Sequence, residues 1–181
     1  HEDSTIIVVP ALLTDEKRAV ELVKNLEVHY LANKHKNLYF ALAGDFKDSD
    51  KEKNENDSAI VAAAMNAVNE LNRKYPNEGS PIFYYFHRHR LYNEKHKKWM
   101  GWERKRGALI EFNEMLLGSS KTSYSIHSCE LSQIPPVKYV ITLDADTILP
   151  IDAAHKLIGT MSHPLNRPVI DERKNIVVKG Y

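Results

Sequence analysis

Four continuous apolar runs, each followed by polar residues and a stretch with helical spacing, constrain the fold of this chain more than any other feature. Thr5-Ile6-Ile7-Val8-Val9 is the first, and Pro10 is expected to end it; residues 38–43, 82–86 and 139–143 are the others. A run without polar alternation reads as a strand buried on both faces, as in a parallel sheet. Ala19, Val23, Leu26 and Tyr30 recur at three- and four-residue spacing, as do Ile60, Ala63, Ala64, Ala67, Val68 and Leu71, and then Ala108, Leu109, Phe112, Met115 and Leu116. Each set marks a helix with one apolar face. Thr14 is the expected cap of the first helix and Asp57 of the second. A short helix is predicted over 152–161, and a β-hairpin from 168–170 and 176–179 around Glu172-Arg173-Lys174-Asn175. The order βαβαβαβα, then a hairpin, predicts an α/β fold with a mainly parallel sheet and helices on both faces. Residues 46–57 and 119–136 read as polar connections.

Ligands of such sheets bind beyond the carboxyl ends of the strands. Those ends carry Pro10-Ala11, Gly44-Asp45, His87-Arg88 and Asp144-Ala145-Asp146. If extended geometry continues through Asp146, the two carboxylates share a face. Converging carboxylates are costly unless a cation joins them. Hard divalent ions such as Mg²⁺ take oxygen ligands and bridge carboxylate to phosphate. The tripeptide therefore points to a metal-bound phosphate or diphosphate. Taken alone it reads more readily as one aspartate capping a helix and the other in solvent, since short motifs recur by chance.

The run Trp102-Glu103-Arg104-Lys105-Arg106-Gly107 precedes the third helix. Gly107 permits close backbone approach, a helix N-terminus favours anions, and Arg104, Lys105 and Arg106 suit a diphosphate. A solvated basic turn is the competing reading. The Gly-x-x-x-x-Gly-Lys-Ser/Thr loop is absent. Asp45 suits a ribose or base edge, or a plain loop acid. His87 and His89 fit a metal pair or two unrelated histidines. Trp99 and Trp102 fit ligand stacking or rim packing.

The single cysteine, Cys129, excludes an internal disulfide and a Cys-rich zinc site, and no base can be placed beside it. A net charge of +1 gives no global field for nucleic acid or an anionic membrane. No apolar stretch approaches the ~20 residues of a membrane-spanning helix. A length of 181 residues is one domain by size. His1-Glu2-Asp3-Ser4 leads almost directly into a strand, and Lys179-Gly180-Tyr181 stops in what reads as another. The chain is therefore expected to be an excised domain or part of one.

The order of these pieces resembles the donor-binding half of a GT-A glycosyltransferase: a strand at 6–10, Asp45 after the second strand, Gly107 with Asn113 six residues on, and Asp144-Ala145-Asp146. Longer blocks are similar to the glycosyltransferase domain of bacterial cyclic β-1,2-glucan synthases. They are Glu103-Arg104-Lys105-Arg106-Gly107 leading to Glu111-Phe112-Asn113, Tyr139 through Thr147, and Gly159-Thr160-Met161-Ser162-His163-Pro164-Leu165-Asn166-Arg167-Pro168. The last is long and irregular, hence more specific than Asp-x-Asp.

The resemblance implies a UDP-glucose donor, Mg²⁺ or Mn²⁺, and inverting transfer to a glucan acceptor in β-1,2-glucan synthesis. It also implies a large parent synthase of the bacterial inner membrane, with this domain soluble and on the cytoplasmic face. Asp146 would ligate the metal, and Asp144 would contact the metal or the ribose. Asp45 would contact uridine, Pro10 would line the donor site, and Arg104, Lys105 and Arg106 would serve the diphosphate. Ala108 departs from the pattern, because related enzymes often carry Lys directly after the glycine. No catalytic base is assigned; the family draws it from a later acidic motif. A haloacid-dehalogenase-type phosphatase also uses Asp-x-Asp after a strand, but there the motif opens the domain. A non-catalytic nucleotide-sugar-binding or assembly module is the third reading.

Overall fold

The computed structural model describes residues 4–180. In chain order it contains β1 (Thr5–Leu13), α1 (Glu16–Ala32), β2 (Leu38–Phe46), α2 (Asp57–Lys74), β3 (Phe83–Arg88), β4 (Leu91–Asn93), β5 (Lys98–Met100), α3 (Arg104–Leu116), β6 (Tyr124–His127), β7 (Tyr139–Thr142), α4 (Ala153–Ser162), β8 (Val169–Asp171) and β9 (Ile176–Lys179). The main sheet has the order β6-β3-β2-β1-β7. β7, β1, β2 and β3 run parallel, and β6 joins β3 antiparallel. This is an α/β fold with a mostly parallel five-stranded sheet, four α-helices among the described residues, and a C-terminal antiparallel hairpin of β8 and β9.

Strand parity decides what each face buries. Ile7, Val9, Phe40, Leu42, Phe83 and Tyr85 pack with Ala19, Leu22, Val23 and Leu26 of α1 and Ile60, Ala64, Val68 and Leu71 of α2. Ile6, Val8, Tyr39, Ala41, Ala43, Tyr84 and Phe86 pack with Phe112 and Met115 of α3. Both faces are thus covered by helices, and full burial of a large apolar side chain contributes about 1.5–3 kcal/mol.

Several local expectations need correction. Pro10 does not end β1, which runs to Leu13 and pairs with β2 as far as Leu13↔Phe46. Val8 points its carbonyl toward β7, where it accepts from the Leu143 N–H at 3.0 Å. Pro10, two residues on, faces the same side, but the β1–β7 ladder has already stopped at Val8↔Thr142. The proline therefore forfeits no ladder bond. Asp15, not Thr14, caps α1, because its carboxylate accepts from the Arg18 N–H at 2.8 Å. Asp57 is the first residue of α2, preceded by Asn56 in the cap position. The basic stretch 87–106 holds the β4–β5 hairpin, and the polar connection 119–136 holds β6.

β7 is followed by a return to α1. Asn33, at the end of α1, donates to the Pro150 carbonyl at 3.1 Å and accepts from the Ala154 N–H at 3.0 Å. These bonds fix where α4 begins. Among the described residues, no helix is long and apolar enough to cross a membrane. The expectation about the chain's ends rests partly on residues 1–3 and 181, which lie outside the described residues.

Candidate functional site

At the carboxyl edge of the sheet, a cavity of about 220 Å³ opens on the α3 side. Pro10, Ala11 and Leu12 of β1 and Asp45 and Phe46 of β2 form one wall; Asp48, Gly101, Arg104 and Lys105 form the other. Parity explains the meeting. Asp45 follows Tyr39, Ala41 and Ala43 on the α3 face, and the β1–β2 register sets it beside Leu12. Of the residues singled out in the sequence, Pro10, Asp45, Arg104 and Lys105 thus share one cavity. Arg106 and Asp146 are exposed and do not line it.

Asp45 is 9% exposed, and its carboxylate is held by a fully buried guanidinium. Arg88 Nε donates to Asp45 Oδ1 at 2.7 Å and Nη2 to Oδ2 at 2.6 Å. Burial pushes the Asp45 carboxyl above its ordinary range, and the Arg88 fork pulls the other way. Arg88 also donates to the carbonyls of Trp102 at 3.0 Å and Arg104 at 2.9 Å, and lies 3.5 Å from Glu111 Oε2. Glu111 in turn accepts from the Ser123 N–H at 3.1 Å and from its hydroxyl. Every donor position of Arg88 is thereby directed at an acceptor.

α3 begins at Arg104, earlier than the sequence suggested, so Arg104, Lys105 and Arg106 form its first turn. Cations there oppose the helix dipole, which favours anions. Glu103 and Arg104 both adopt left-handed backbone with φ 50. Such strain in non-glycine residues is worth about 1–3 kcal/mol each and persists where the surroundings hold it, as the Arg88 bonds do here. Gly107 packs on this turn so closely that a Cβ would lie 1.9 Å from the Trp102 carbonyl oxygen. The close approach expected of Gly107 is therefore made to its own entry turn.

The Asp144 turn reaches the cavity through Lys105. β7 stops at Thr142, and the Thr147 N–H donates to the Asp144 carbonyl at 2.9 Å, closing a turn over 144–147. Extended geometry does not continue through Asp146, so alternation does not put the two carboxylates on one face. Instead the Asp144 carboxylate meets the Lys105 ammonium, and Arg104 meets Asp48 at 2.6 Å. Each cation at the cavity mouth has a carboxylate partner. Among the described residues, no group of three or more His, Cys, Asp or Glu side chains gathers as a metal cage. Asp144 and Asp146 are both exposed at this turn, and the Asp144 carboxylate is paired with the Lys105 ammonium.

The other marked residues separate. His87 is buried on the α1–α2 face, 3.9 Å from Phe46 between ring centroids, whereas His89 lies beyond the end of β3 and is exposed. They form no pair. Trp99 packs with Tyr92 in the β4–β5 hairpin. Burial pushes the Cys129 thiol up to about 11, in keeping with an inert group.

The sequence reading placed Arg88 at a strand end without giving it a role, and it missed Asp48 and Gly101. For Arg88 a signal existed. It follows Tyr84 and Phe86 in parity, so a buried guanidinium was due on the α3 face, and buried charges need partners. The chain is 45% identical over 178 residues to the cyclic beta-(1,2)-glucan synthase NdvB of Rhizobium meliloti (strain 1021). The match covers 98% of this chain and spans 6% of that protein. No family model matches the chain. The chain is homologous to a segment of a glucan synthase.

Proposed function

We propose that this chain is the donor-binding part of a GT-A glycosyltransferase that takes UDP-glucose with Mg²⁺ or Mn²⁺, in inverting transfer of glucose to a growing β-1,2-glucan. The observation that carries this reading is one cavity with Asp45 and Pro10 on one wall, Arg104 and Lys105 on the other, and the Asp144 turn tied to Lys105. The likeness to a segment of NdvB supports the glucan assignment, and the rest of the larger synthase would supply the acceptor site and catalytic base.

In this reading Asp45 accepts a hydrogen bond from the uracil edge, against the apolar strip Pro10-Ala11-Leu12. Arg104 and Lys105 leave Asp48 and Asp144 to pair with the diphosphate, placing cations where charge grows as the sugar–phosphate bond breaks. Asp144 and Asp146 would hold the divalent ion, which when bound neutralises further charge on the leaving group. Arg106, one position along the same turn, adds to the local field.

Calorimetric titration of the chain with UDP-glucose and with ADP-glucose, both with Mn²⁺, tests the assignment. Selective binding of the uridine donor is expected. Equal binding of both, or none, would remove the base-reading role of Asp45. Hydrolysis of para-nitrophenyl phosphate above background would favour the phosphatase reading.

A further inference from the structure

We infer that Arg88 is a positioning residue that fixes the distance between the base-reading and diphosphate-reading halves of the cavity, so that the site selects an intact nucleoside diphosphate over either fragment. This rests on the donor-site reading above.

The two halves come from separate parts of the chain. Asp45 belongs to β2, and the cations belong to the entry of α3. One buried side chain joins them. Two Arg88 donors hold Asp45 at 2.6 and 2.7 Å, and two others hold the Trp102 and Arg104 carbonyls at 3.0 and 2.9 Å. Those carbonyls flank Glu103, in the turn where left-handed backbone aims the first residues of α3 at the cavity. Glu111, on the far side of the guanidinium, holds its remaining face and is itself anchored to Ser123. Arg88 does not line the cavity. Its effect on binding therefore passes through Asp45 and the 102–104 backbone.

A ligand that reaches both halves binds tightly only if their separation is fixed before it arrives. Each fragment alone needs one half and is indifferent to the spacing. Gly101 closes the device: a Cβ there would lie 2.7 Å from Arg88 Nη2 and 2.9 Å from Asp45 Oδ2. An added methyl at this point forces the ends of the two side chains, Arg88 Nη2 and Asp45 Oδ2, to shift while every charge remains.

The test uses two variants, Arg88→Lys and Gly101→Ala, and three probes: UDP, uridine and inorganic pyrophosphate. Titrations run with Mn²⁺, by calorimetry for UDP and ligand-observed NMR for the fragments, beside thermal melts. Lysine keeps the buried positive charge but cannot span both partners; Gly101→Ala keeps all five bonding groups and displaces them. The expected result is a loss of UDP affinity of about tenfold or more in both variants, with uridine and pyrophosphate each changing by less than about threefold in Arg88→Lys, which leaves the residues lining the cavity in place. UDP binding unchanged in both variants would overturn the inference. So would parallel loss of all three probes together with a lost melting transition, since that reports a purely structural role. If the wild-type chain binds none of the probes, the donor-site reading itself falls, and the clasp falls with it.

Discussion

His87 shows how much one buried side chain can cost. It is wholly buried, its Nδ1 meets the Arg88 carbonyl at 2.8 Å, and its Nε2 has no hydrogen-bond partner. Burial lowers its pKa to about 4. The unfolded chain protonates this histidine near pH 6.5, and the folded chain resists until about pH 4. Stability is therefore full above the unfolded value and falls as pH drops through that window, by about 3 kcal/mol for His87 alone. His29, also lowered by burial, adds in the same direction. Urea unfolding at pH 7, 6, 5 and 4.5 should show this decline, and His87→Phe should flatten it; an unchanged slope in the variant would reject the assignment. At the same scale, Asp45, Arg104 and Lys105 were legible because charged residues at a strand end or before a helix stand out in sequence. Arg88 was marked only as a strand end, and its parity with Tyr84 and Phe86 gained its meaning once β3 was seen to run on to position 88.

At the scale of elements, two anchors hold the segments that shape the site. Arg90 is 3% exposed; it donates to the Lys47 carbonyl at 2.7 Å and the Glu52 carbonyl at 3.1 Å, and pairs with Asp57 at 2.5 Å. It ties the connection that carries Asp48 to the end of β3. Arg90→Met should cost about 1–3 kcal/mol, since half-buried Asp57 keeps the Asn54 N–H as a partner while the Lys47 and Glu52 carbonyls lose theirs, and should speed hydrogen exchange across residues 47–57. Unaltered exchange there would show that the segment holds without this anchor. Asn33→Ala removes the acceptor of the Ala154 N–H and should cost about 1–3 kcal/mol, seen in chemical unfolding. A cost near zero would mean that α4 docks by other contacts. The runs of β1, β2 and β3 and the stripes of α1 and α2 were readable, because continuous burial leaves a compositional mark; β7 carries an apolar run too, but it is the edge strand and only half-buried to exposed, not buried on both faces as its run suggested. β4, β5 and β6 are three or four residues long, partly exposed and mixed in character, so no periodicity betrays them. The start of α3 was misplaced because its entry uses left-handed Glu103 and Arg104, with no side-chain cap to announce it.

Across the whole molecule, the cavity of the candidate site lies at the carboxyl edge of the sheet. β1 and β2 run past the end of β7, and their extra residues build the cavity wall, while the shorter β7 lets the 144–147 turn swing toward α3. The alternation of runs and stripes was enough to anticipate this architecture, and the carboxyl edge it singled out is where the cavity lies. The turn geometry at Asp144 was not legible, since strand alternation was assumed to persist where the backbone in fact bends. The central claim is that this edge binds a uridine diphosphate donor with a divalent ion. Calorimetric titration of UDP into the chain with Mn²⁺ and with EDTA, alongside Asp146→Ala, tests it most directly. Binding that needs Mn²⁺ and is lost in the variant is the predicted result. Binding of equal strength with EDTA, or in Asp146→Ala, would contradict it.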